Sequence, residues 1–321
     1  MIRPSVFTRA FVALTACFAI LGGSSHAQVI GYGVNSLGTL FRFDTDAPAI
    51  VTELGPVGFV PEGIDFRPGT STLYAIDIGP NTTQLYTLDI NNGAPTAVGA
   101  GFASTGANYN LTGNQSFGFD FNPKTLQMDN SMRIRLVATN NPNLRLNSST
   151  GQIAVVDLNL AFANGNSPFV DAAAYINNIP ANMGVTALYD LDSRNDTLLL
   201  QSPPNDGVVS TGGSLGAGVD ALEGMGFAIY TAPGDADPGI GGDFGYAVIK
   251  RPDVPLGGPL GSFLLYDLDL SNGTISNGAL VGPAATPYNF DGGFAVIPEP
   301  TGLPMIALAI ATFVAGRRRS R

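Results

Sequence analysis

Two aspartates, Asp65 and Asp120, are the side chains whose type and spacing most suggest chemistry. Each is the third residue of a Gly–apolar–Asp–apolar tetrapeptide, Gly63–Phe66 and Gly118–Phe121. Alternate residues of a strand share a face, so each aspartate lies on the same side as its glycine. If the two strands line a common space, with Glu62 nearby, the carboxylates are candidates for binding calcium or a polar ligand. The alternative is structural, with each aspartate accepting hydrogen bonds from backbone N–H groups beside its strand.

Three arginines form a second candidate site. Arg133 and Arg135 alternate onto one face of a predicted strand, and Arg145 lies close by in the sequence. Guanidinium groups bind carboxylates in bidentate geometry, which suits an acidic polysaccharide. The alternative is ion pairing inside the domain, which the acidity of the chain favours. Candidate partners for such internal pairs are Asp65, Asp120 and Asp129.

The third group, Asp235, Asp237 and Asp243, supplies weak candidates for a calcium site. Oxygen ligands suit calcium, but the stretch lacks the glutamate that an EF-hand loop places at its twelfth position. The alternative is a solvated acidic loop. Calcium is the one cofactor that the sequence leaves open.

Other catalytic classes are excluded by the position of two residues. The chain has one cysteine, Cys17, and one histidine, His26, and both precede residue 28. The segment 28–298 therefore cannot contain a Ser-His-Asp or Cys-His arrangement, or a zinc site made from imidazole and thiolate. Carboxylate chemistry, oxygen-ligated calcium and plain binding remain.

The charge of the chain excludes a further class. The whole chain has 15 basic and 25 acidic residues, for a net charge of −10. Residues 28–298 hold nine of the basic and 24 of the acidic residues, so their net charge is −15. Nucleic-acid binding needs a basic surface, so no nucleic-acid partner is expected.

Glycine-rich repeats indicate the elements that position these residues. The chain has 41 glycines and 23 prolines, and 45% of its residues are hydrophobic, which is typical of an all-β fold with many turns. The motif of Gly63–Phe66 recurs at starts 55, 54, 54 and 67 residues apart. Its copies are Gly63–Phe66, Gly118–Phe121, Ala172–Tyr175, Gly226–Ile229 and Gly293–Val296.

The repeat length predicts a β-propeller over residues 28–297. A unit of about 54 residues has room for the four short strands of a blade. The first unit lacks the motif strand, and the last has nothing after it. We therefore predict five blades, with the C-terminal strand completing the N-terminal blade. Six blades and a β-sandwich are the alternatives.

The N-terminus is predicted to be a signal peptide spanning residues 1–27. Basic residues precede a short apolar run, and small residues stand before a cleavage point between Ala27 and Gln28. Signal peptidase is the expected partner, and the chain is expected to be exported. The alternative is a lipoprotein in which Cys17 carries the lipid.

The C-terminus, residues 298–321, has three parts: Pro298-Glu299-Pro300, an apolar stretch 301–316, and a cluster that includes Arg317, Arg318 and Arg319. A helix of 16 residues would span about 24 Å, short of the ~30 Å hydrocarbon core. An ordinary tail anchor is one interpretation. The order of the parts resembles the PEP-CTERM sorting signal. That resemblance implies cleavage by an exosortase near the Pro-Glu-Pro segment, after only transient membrane anchoring, and release or attachment at the bacterial cell surface.

The body of the chain resembles a bacterial family of secreted domains of unknown function, numbered 4394. The stretches that carry the resemblance are Gly63–Pro68, Gly118–Pro123, Arg133–Val137, Asn143–Asn147, Leu188–Asp192 and Thr197–Gly207. The chain departs from the pattern at Ala228, where an aspartate is expected, and residues 231–243 look inserted. The family carries no established activity, so the resemblance implies a fold and a secreted setting only.

These observations favour a secreted or cell-surface protein without enzymatic activity. It would bind, or have a structural role in, the extracellular matrix, with exopolysaccharide as a candidate partner. The alternative is a propeller enzyme that depends on carboxylates or calcium, of the glycosidase or lactonase type. Asp65 and Asp120 are the first pair of acids to consider for it.

Overall fold

The computed structural model describes residues 28–113, 116–124, 131–178, 186–232, 240–253, 259 and 261–298. Their regular secondary structure consists of strands joined by turns and loops, apart from one short 3-10 helix, Pro204–Asp206. The all-β prediction is confirmed. Within the described part of the chain, no helix has the length and apolar character needed to cross a bilayer.

Several predicted features lie outside the described residues. They are most of the signal peptide region, the sorting segment after Pro298, and parts of the internal candidate sites. The residues concerned are Cys17, Ala27, Asp129, Asp235, Asp237, Glu299, Pro300, Arg317, Arg318, Arg319 and the apolar stretch 301–316.

Blade 1 joins the two ends of the described chain. Its strands are β1 (Val29–Val34), β2 (Thr39–Asp44), β3 (Val51–Pro56) and β23 (Phe294–Pro298). The innermost strand, β23, pairs antiparallel with β1, so that Gly33 lies opposite Phe294 and Val29 lies opposite Pro298. This confirms the predicted five-bladed propeller, in which the C-terminal strand completes the N-terminal blade.

Blades 2, 3 and 5 are antiparallel sheets of four strands, each with its first strand innermost. Blade 2 contains β4 (Gly63–Phe66), β5 (Leu73–Ile78), β6 (Thr82–Leu88) and β7 (Pro95–Ala103). Blade 3 contains β10 (Phe117–Asn122), β11 (Arg133–Ala138), β12 (Asn143–Asn147) and β13 (Ile153–Val156). Blade 5 contains β19 (Leu222–Thr231), β20 (Asp243–Lys250), β21 (Phe263–Leu268) and β22 (Ile275–Leu280).

Blade 4 has a fifth strand that the repeat pattern does not predict. Its four regular strands are β15 (Val170–Tyr175), β16 (Leu188–Asp192), β17 (Thr197–Gln201) and β18 (Val208–Ser214). The short β14 (Ala161–Phe162) adds to its outer edge, parallel to β18. A separate two-stranded ladder, β8 (Thr105–Gly106) with β9 (Tyr109–Asn110), follows blade 2.

The recurring glycine is explained by how closely the inner strands approach each other. The inner strands β4, β10, β15, β19 and β23 follow one another around the axis. A Cβ atom added at Gly63 would lie 2.5 Å from the Cβ of Phe119 in the next blade. At Gly118 the same atom would lie 2.6 Å from the Cβ of Ala173. A larger residue at these positions would push neighbouring blades apart.

The apolar core is divided among the seams, by which we mean the contacts between adjacent blades. Five clusters of buried residues each combine side chains from two neighbouring blades. Phe41 and Phe43 of blade 1, for example, pack with Val248 and Phe263 of blade 5. One open space between the packed seams lies where the inner strands begin, at one end of the central channel.

Candidate functional site

A pocket of about 340 Å³ lies at the end of the channel where the inner strands begin. Four carboxyl-bearing residues from four different blades line it, together with one lysine. Blades 2, 4, 5 and 1 contribute the acids in ring order, and the end of β20 contributes the lysine. These residues are Glu62, Asp171, Glu223, Asp291 and Lys250.

Asp171 is the most buried of these acids and connects three blades. Its Oδ2 accepts a hydrogen bond from the backbone N of Ser193 over 2.9 Å, and its Oδ1 lies 3.3 Å from the backbone N of Gly224. The same N–H of Gly224 donates to the Oγ of Ser116 over 2.8 Å. Burial raises the pKa of Asp171 to about 6, although these hydrogen bonds oppose the shift.

Glu62 stands immediately before the motif glycine of blade 2. Its Oε2 accepts a hydrogen bond from the backbone N of Ile78 over 2.7 Å, which fixes the carboxyl beside β5. Burial raises the pKa of Glu62 to about 7, against the effect of that hydrogen bond, and the charge of Asp77 adds to the rise. Glu62 therefore exchanges its proton near neutral pH, whereas Glu223 and Asp291 are exposed at the rim.

Apolar side chains complete the pocket wall. Phe117, Phe119, Phe227 and Phe294 of the inner strands reach the pocket wall, although their rings are mostly buried in the seams. The Nζ atom of Lys250 lies 5.6 Å from the centre of the Phe263 ring, a cation–π distance. The pocket therefore combines hydrogen-bond acceptors and one donor cation with a smaller apolar part of the wall, a composition suited to a small polar ligand.

Asp65 and Asp120 lie at seams and do not line this pocket. The Oδ1 of Asp65 accepts a hydrogen bond from the backbone N of Phe66 over 2.7 Å, and its Oδ2 accepts one from the backbone N of Phe121 in blade 3 over 2.8 Å. The Oδ2 of Asp120 accepts a hydrogen bond from the backbone N of Tyr175 in blade 4 over 2.9 Å. Each aspartate thus binds the inner strand of the following blade.

The two carboxyl groups also bond to each other. Burial raises the pKa of Asp65 to about 7, and burial followed by the charge of Asp65 raises the pKa of Asp120 well above its ordinary value. Two carboxyl groups in contact in a buried site cannot both ionise readily, so the pair shares a proton at neutral pH. Ligand binding by this pair stays a prediction; its visible contacts are with backbone amides and with each other.

The arginine cluster is also internal, but its partner is Asp157. Arg135 is 1% exposed and donates from Nη1 to Asp157 Oδ2 over 2.7 Å. Arg145 binds the same carboxylate with two hydrogen bonds of 2.8 and 2.7 Å. Arg133 donates to the Oγ of Ser131 over 2.7 Å. The internal pairing considered from the sequence is present, but neither Asp65 nor Asp120 takes part in the ion pairs of Arg135 and Arg145.

Asp243, the described member of the calcium candidates, lies at the seam between blades 4 and 5. Its Oδ1 accepts hydrogen bonds from the backbone N of Asn177, over 3.1 Å, and from the hydroxyl of Thr231. Among the described residues, no group of three or more acidic, histidine or cysteine side chains is placed to hold a metal ion. Calcium binding by the loop of Asp235 and Asp237 stays a prediction.

Sequence reasoning noticed Glu62 but missed the other polar residues of the pocket. Asp171, Asp291 and Glu223 precede the first motif residue of their blades by one, two and three positions, respectively. The signal that would have found them is an acid in the few residues before each copy of the motif. Lys250 carries no such signal, because it comes from the second strand of blade 5.

The fold and the pocket define a five-bladed propeller with an acidic channel mouth. The family model described as "Domain of unknown function (DUF4394)" matches residues 39–287, and the chain belongs to this family. A search of curated proteins finds no match.

The solved structures that match this chain are distant in sequence. A candidate exo-β-1,3-galactanase from Bifidobacterium bifidum is 13% identical, with a TM-score of 0.46, covering 82% of this chain and 91% of that one. A bifunctional GH43-CE protein from Bacteroides eggerthii is 8% identical, with a TM-score of 0.40, covering 85% of this chain and 36% of that one. Neither likeness assigns a substrate or an activity to this chain.

Proposed function

We propose that this protein is an exported binding protein whose central pocket takes a neutral, polyhydroxylated ligand, such as the sugar units of an extracellular polysaccharide. The observation that carries the proposal is the convergence of four carboxyl groups from four blades on one pocket. Carboxyl groups accept hydrogen bonds from sugar hydroxyls, and Lys250 can donate one.

The charge of the pocket favours a neutral ligand over an acidic one. Four acids face one lysine, within a domain whose net charge is −15. An anionic polysaccharide would be repelled. The arginines that could have attracted it, Arg135 and Arg145, are already paired with Asp157. Exopolysaccharide therefore remains the proposed partner, with recognition assigned to the pocket.

The binding proposal is tested by a glycan array followed by titration of the purified protein, with and without calcium. The variant Glu223→Gln/Asp291→Asn removes two exposed carboxylates from the pocket rim. We expect it to weaken binding of the best glycan about tenfold, because the amides keep an acceptor oxygen and only the charge assistance of two exposed hydrogen bonds is lost, about 0.7 kcal/mol each. The matched control, Asp206→Asn/Asp220→Asn, removes two exposed charges outside the pocket and should bind as the parent does. Equal loss in both variants would contradict the proposal.

Glu62 supports a second candidate, a carboxylate-dependent hydrolase acting in the same pocket. A general acid works best when its pKa is near the working pH, and the pKa of Glu62 is about 7. Glu62→Gln would then abolish turnover while leaving binding intact, because the amide oxygen still accepts the bond from Ile78. Chromatography of glycans after prolonged incubation distinguishes the candidates: unchanged glycans support the binding protein, and products that disappear with Glu62→Gln support the enzyme.

Export and surface delivery are part of the same proposal. The predicted signal peptide 1–27 would bring the chain to signal peptidase, and the PEP-CTERM-like segment would bring it to an exosortase. Pro298 ends β23, whereas Glu299 and Pro300 follow it, so Glu299→Ala/Pro300→Ala alters the sorting segment without touching the closing strand. We expect uncleaved precursor to accumulate in the membrane fraction of the native host. Normal release of this variant would overturn the sorting proposal.

A further inference from the structure

A second cavity, of about 470 Å³, lies between blades 5 and 1, away from the channel. We call it the side cleft. Three aromatic residues of blade 5 line it, Tyr230, Phe244 and Tyr246, and the turn after β2 forms part of the opposite wall through Thr45 and Asp46. None of these residues lines the central pocket.

The register of blade 5 sets the aromatic residues side by side. Tyr230 of β19 lies opposite Phe244 of β20, and their rings stack at 6.1 Å with an interplanar angle of 27°. Tyr246 lies opposite Asp267 of β21. Opposed residues of antiparallel strands project from the same face, so this face carries aromatic rings beside a carboxylate. Phe244 is 39% exposed, which is unusual for so large an apolar side chain, and leaves its ring accessible.

The charges around the side cleft are all of one sign. Asp46, Asp267 and Asp269 line it and are exposed to solvent, and Asp243 lies deeper. No lysine or arginine is found among the described residues that line the side cleft. This differs from the central pocket, where Lys250 faces the acids. A ligand that complements the side cleft must carry positive charge.

The hydroxyl of Tyr230 is an independent sign that the side cleft takes a polar group. Tyr230 is only 5% exposed, and its hydroxyl has no hydrogen-bond partner in the described structure. A buried hydroxyl without a partner costs stability, so such groups usually have a ligand or a water molecule to bond. Because Tyr230 lines the side cleft, a group bound there can supply that bond.

Tyr246 reports the same electrostatic environment. Burial raises the pKa of its phenol, and the charges of Asp267 and Asp46 raise it further, although the hydroxyl of Thr45 acts in the opposite sense. Negative charge from both walls is therefore felt inside the side cleft. An aromatic ring attracts a cation to its face, and desolvation strengthens that attraction.

We propose that the side cleft binds an organic ammonium group, held over the exposed ring of Phe244 and neutralised by Asp46 and Asp267. The hydroxyl of Tyr230 bonds a polar atom next to the charged nitrogen. Aromatic rings favour an ammonium carried on carbon over a bare metal ion, which agrees with the absence of a metal-holding group among the described residues. The site is independent of the central pocket and does not rest on the function proposed for it.

The proposal is tested by calorimetric titration of the purified protein with choline and with 3,3-dimethylbutan-1-ol, its neutral isostere. Choline carries both a quaternary ammonium and a hydroxyl. We expect saturable binding of choline, and binding of the isostere at least about tenfold weaker, because only choline gains the cation–π and ionic contributions. Equal affinities would show a merely apolar cleft, and no binding of choline would also overturn the proposal.

Three variants assign the residues. Phe244→Leu keeps an apolar side chain but removes the ring, and we expect about three- to tenfold weaker binding of choline. Asp267→Asn should weaken binding to a similar extent, and Tyr230→Phe somewhat less, because only a hydroxyl is lost. Asp220→Asn removes the same charge from an exposed site elsewhere and should leave the affinity unchanged. Unaltered affinity in Phe244→Leu, or an equal loss in Asp220→Asn, would overturn the proposal.

Discussion

The seam between blades 3 and 4 is crossed by charged and polar side chains, whereas the seam between blades 5 and 1 is filled with phenylalanines. Across the first, Asp120 holds the backbone N of Tyr175, and Arg135 donates to the Tyr175 hydroxyl over 3.2 Å and to Asn205 over 2.9 Å. Across the second, aromatic rings interlock. The ring of Phe290 lies within 5.1–6.0 Å of those of Phe41, Phe43, Phe263 and Phe294.

The difference follows the third position of the repeated motif. Blades 2 and 3 have Asp65 and Asp120 there, and each carboxyl group binds the inner strand of the next blade. The later blades have Ala174, Ala228 and Ala295 at this position. At blades 2 and 3 this position of the repeat bonds the next blade directionally, whereas the alanines of the later blades contribute only packing. Directional bonds fix the spacing of neighbouring strands, while packing depends on filling volume.

The largest effect on stability is expected when Arg135, the central cation of the seam between blades 3 and 4, is replaced. Arg135→Met leaves Asn143, Asn205 and Tyr175 without their shared donor and weakens the neutralisation of Asp157. We expect the free energy of unfolding to fall by about 3–5 kcal/mol, measured by urea denaturation. Arg145→Met removes the other, more exposed partner of Asp157 and should lower it by only about 1–2 kcal/mol. Equal losses would show that burial of the cation is not what matters.

The second prediction compares how much stability is lost when a methyl group is added at each of the two seams. In Gly118→Ala, the new Cβ would lie 2.7 Å from the backbone N of Ala173, which cannot move without shifting a strand. In Gly33→Ala, its nearest neighbours would be ring atoms of Phe41 and Phe290, at 2.6 and 2.7 Å. We expect losses of about 2–3 kcal/mol at Gly118 and about 1 kcal/mol at Gly33, measured as above. A larger loss of unfolding free energy at Gly33 would mean that the phenylalanine-filled seam between blades 5 and 1 is the more rigid one.

The smallest expected effect is on the pH dependence of the free energy of unfolding. The pKa of Asp65 is about 7 in the folded protein, well above the ordinary range of a carboxyl group, and that of buried Asp190 is raised to about 8. At pH values between the unfolded-state and folded-state pKa, the folded protein holds more protons than the unfolded chain. The contribution of these groups to stability is therefore complete at about pH 4 and is lost as the pH rises through 7 to 8.

Asp120→Asn should reduce this decline, because an amide can donate to the carboxylate of Asp65 without losing a proton. We expect the variant to be more stable than the parent by about 1–2 kcal/mol at pH 8, with a flatter profile of unfolding free energy against pH. Asp89→Asn is the control, since its turn hydrogen bonds lower the pKa of Asp89 and it should not change the slope between pH 5 and 8. A parent protein that gains stability from pH 5 to 8 would contradict the assignment.

The fold could be predicted from the sequence because each copy of the repeat corresponds to one blade. Five motif copies, an incomplete first unit and a lone last strand specify ring closure by Phe294–Pro298. The outer strand β14 could not be predicted in this way, since it has two residues and no periodicity. Its parallel pairing with β18 depends on the path of a loop rather than on a pattern in the sequence.

The candidate site was harder to predict from the sequence than the fold, for geometric reasons. Alternation predicts that Gly63 and Asp65 share a face, but not whether that face meets the channel axis or the neighbouring strand. In the structure it meets the next inner strand, where Gly63 approaches Phe119 and Asp65 binds the N–H of Phe121. The pairing of Arg135 with Asp157 was equally hidden, because it depends on the distance between strands that only the folded blade sets.

The position of β23 also affects the order in which the blades can be completed during synthesis and folding. Synthesis delivers β1 first and β23 last, yet the two strands are hydrogen-bonded neighbours. Until the last residues arrive, the inner edge of β1 is an unpaired strand edge, which is prone to mispairing. Contacts between such distant parts of a chain also form slowly, because a long loop must close first. The blade that is made first is therefore the last to be completed.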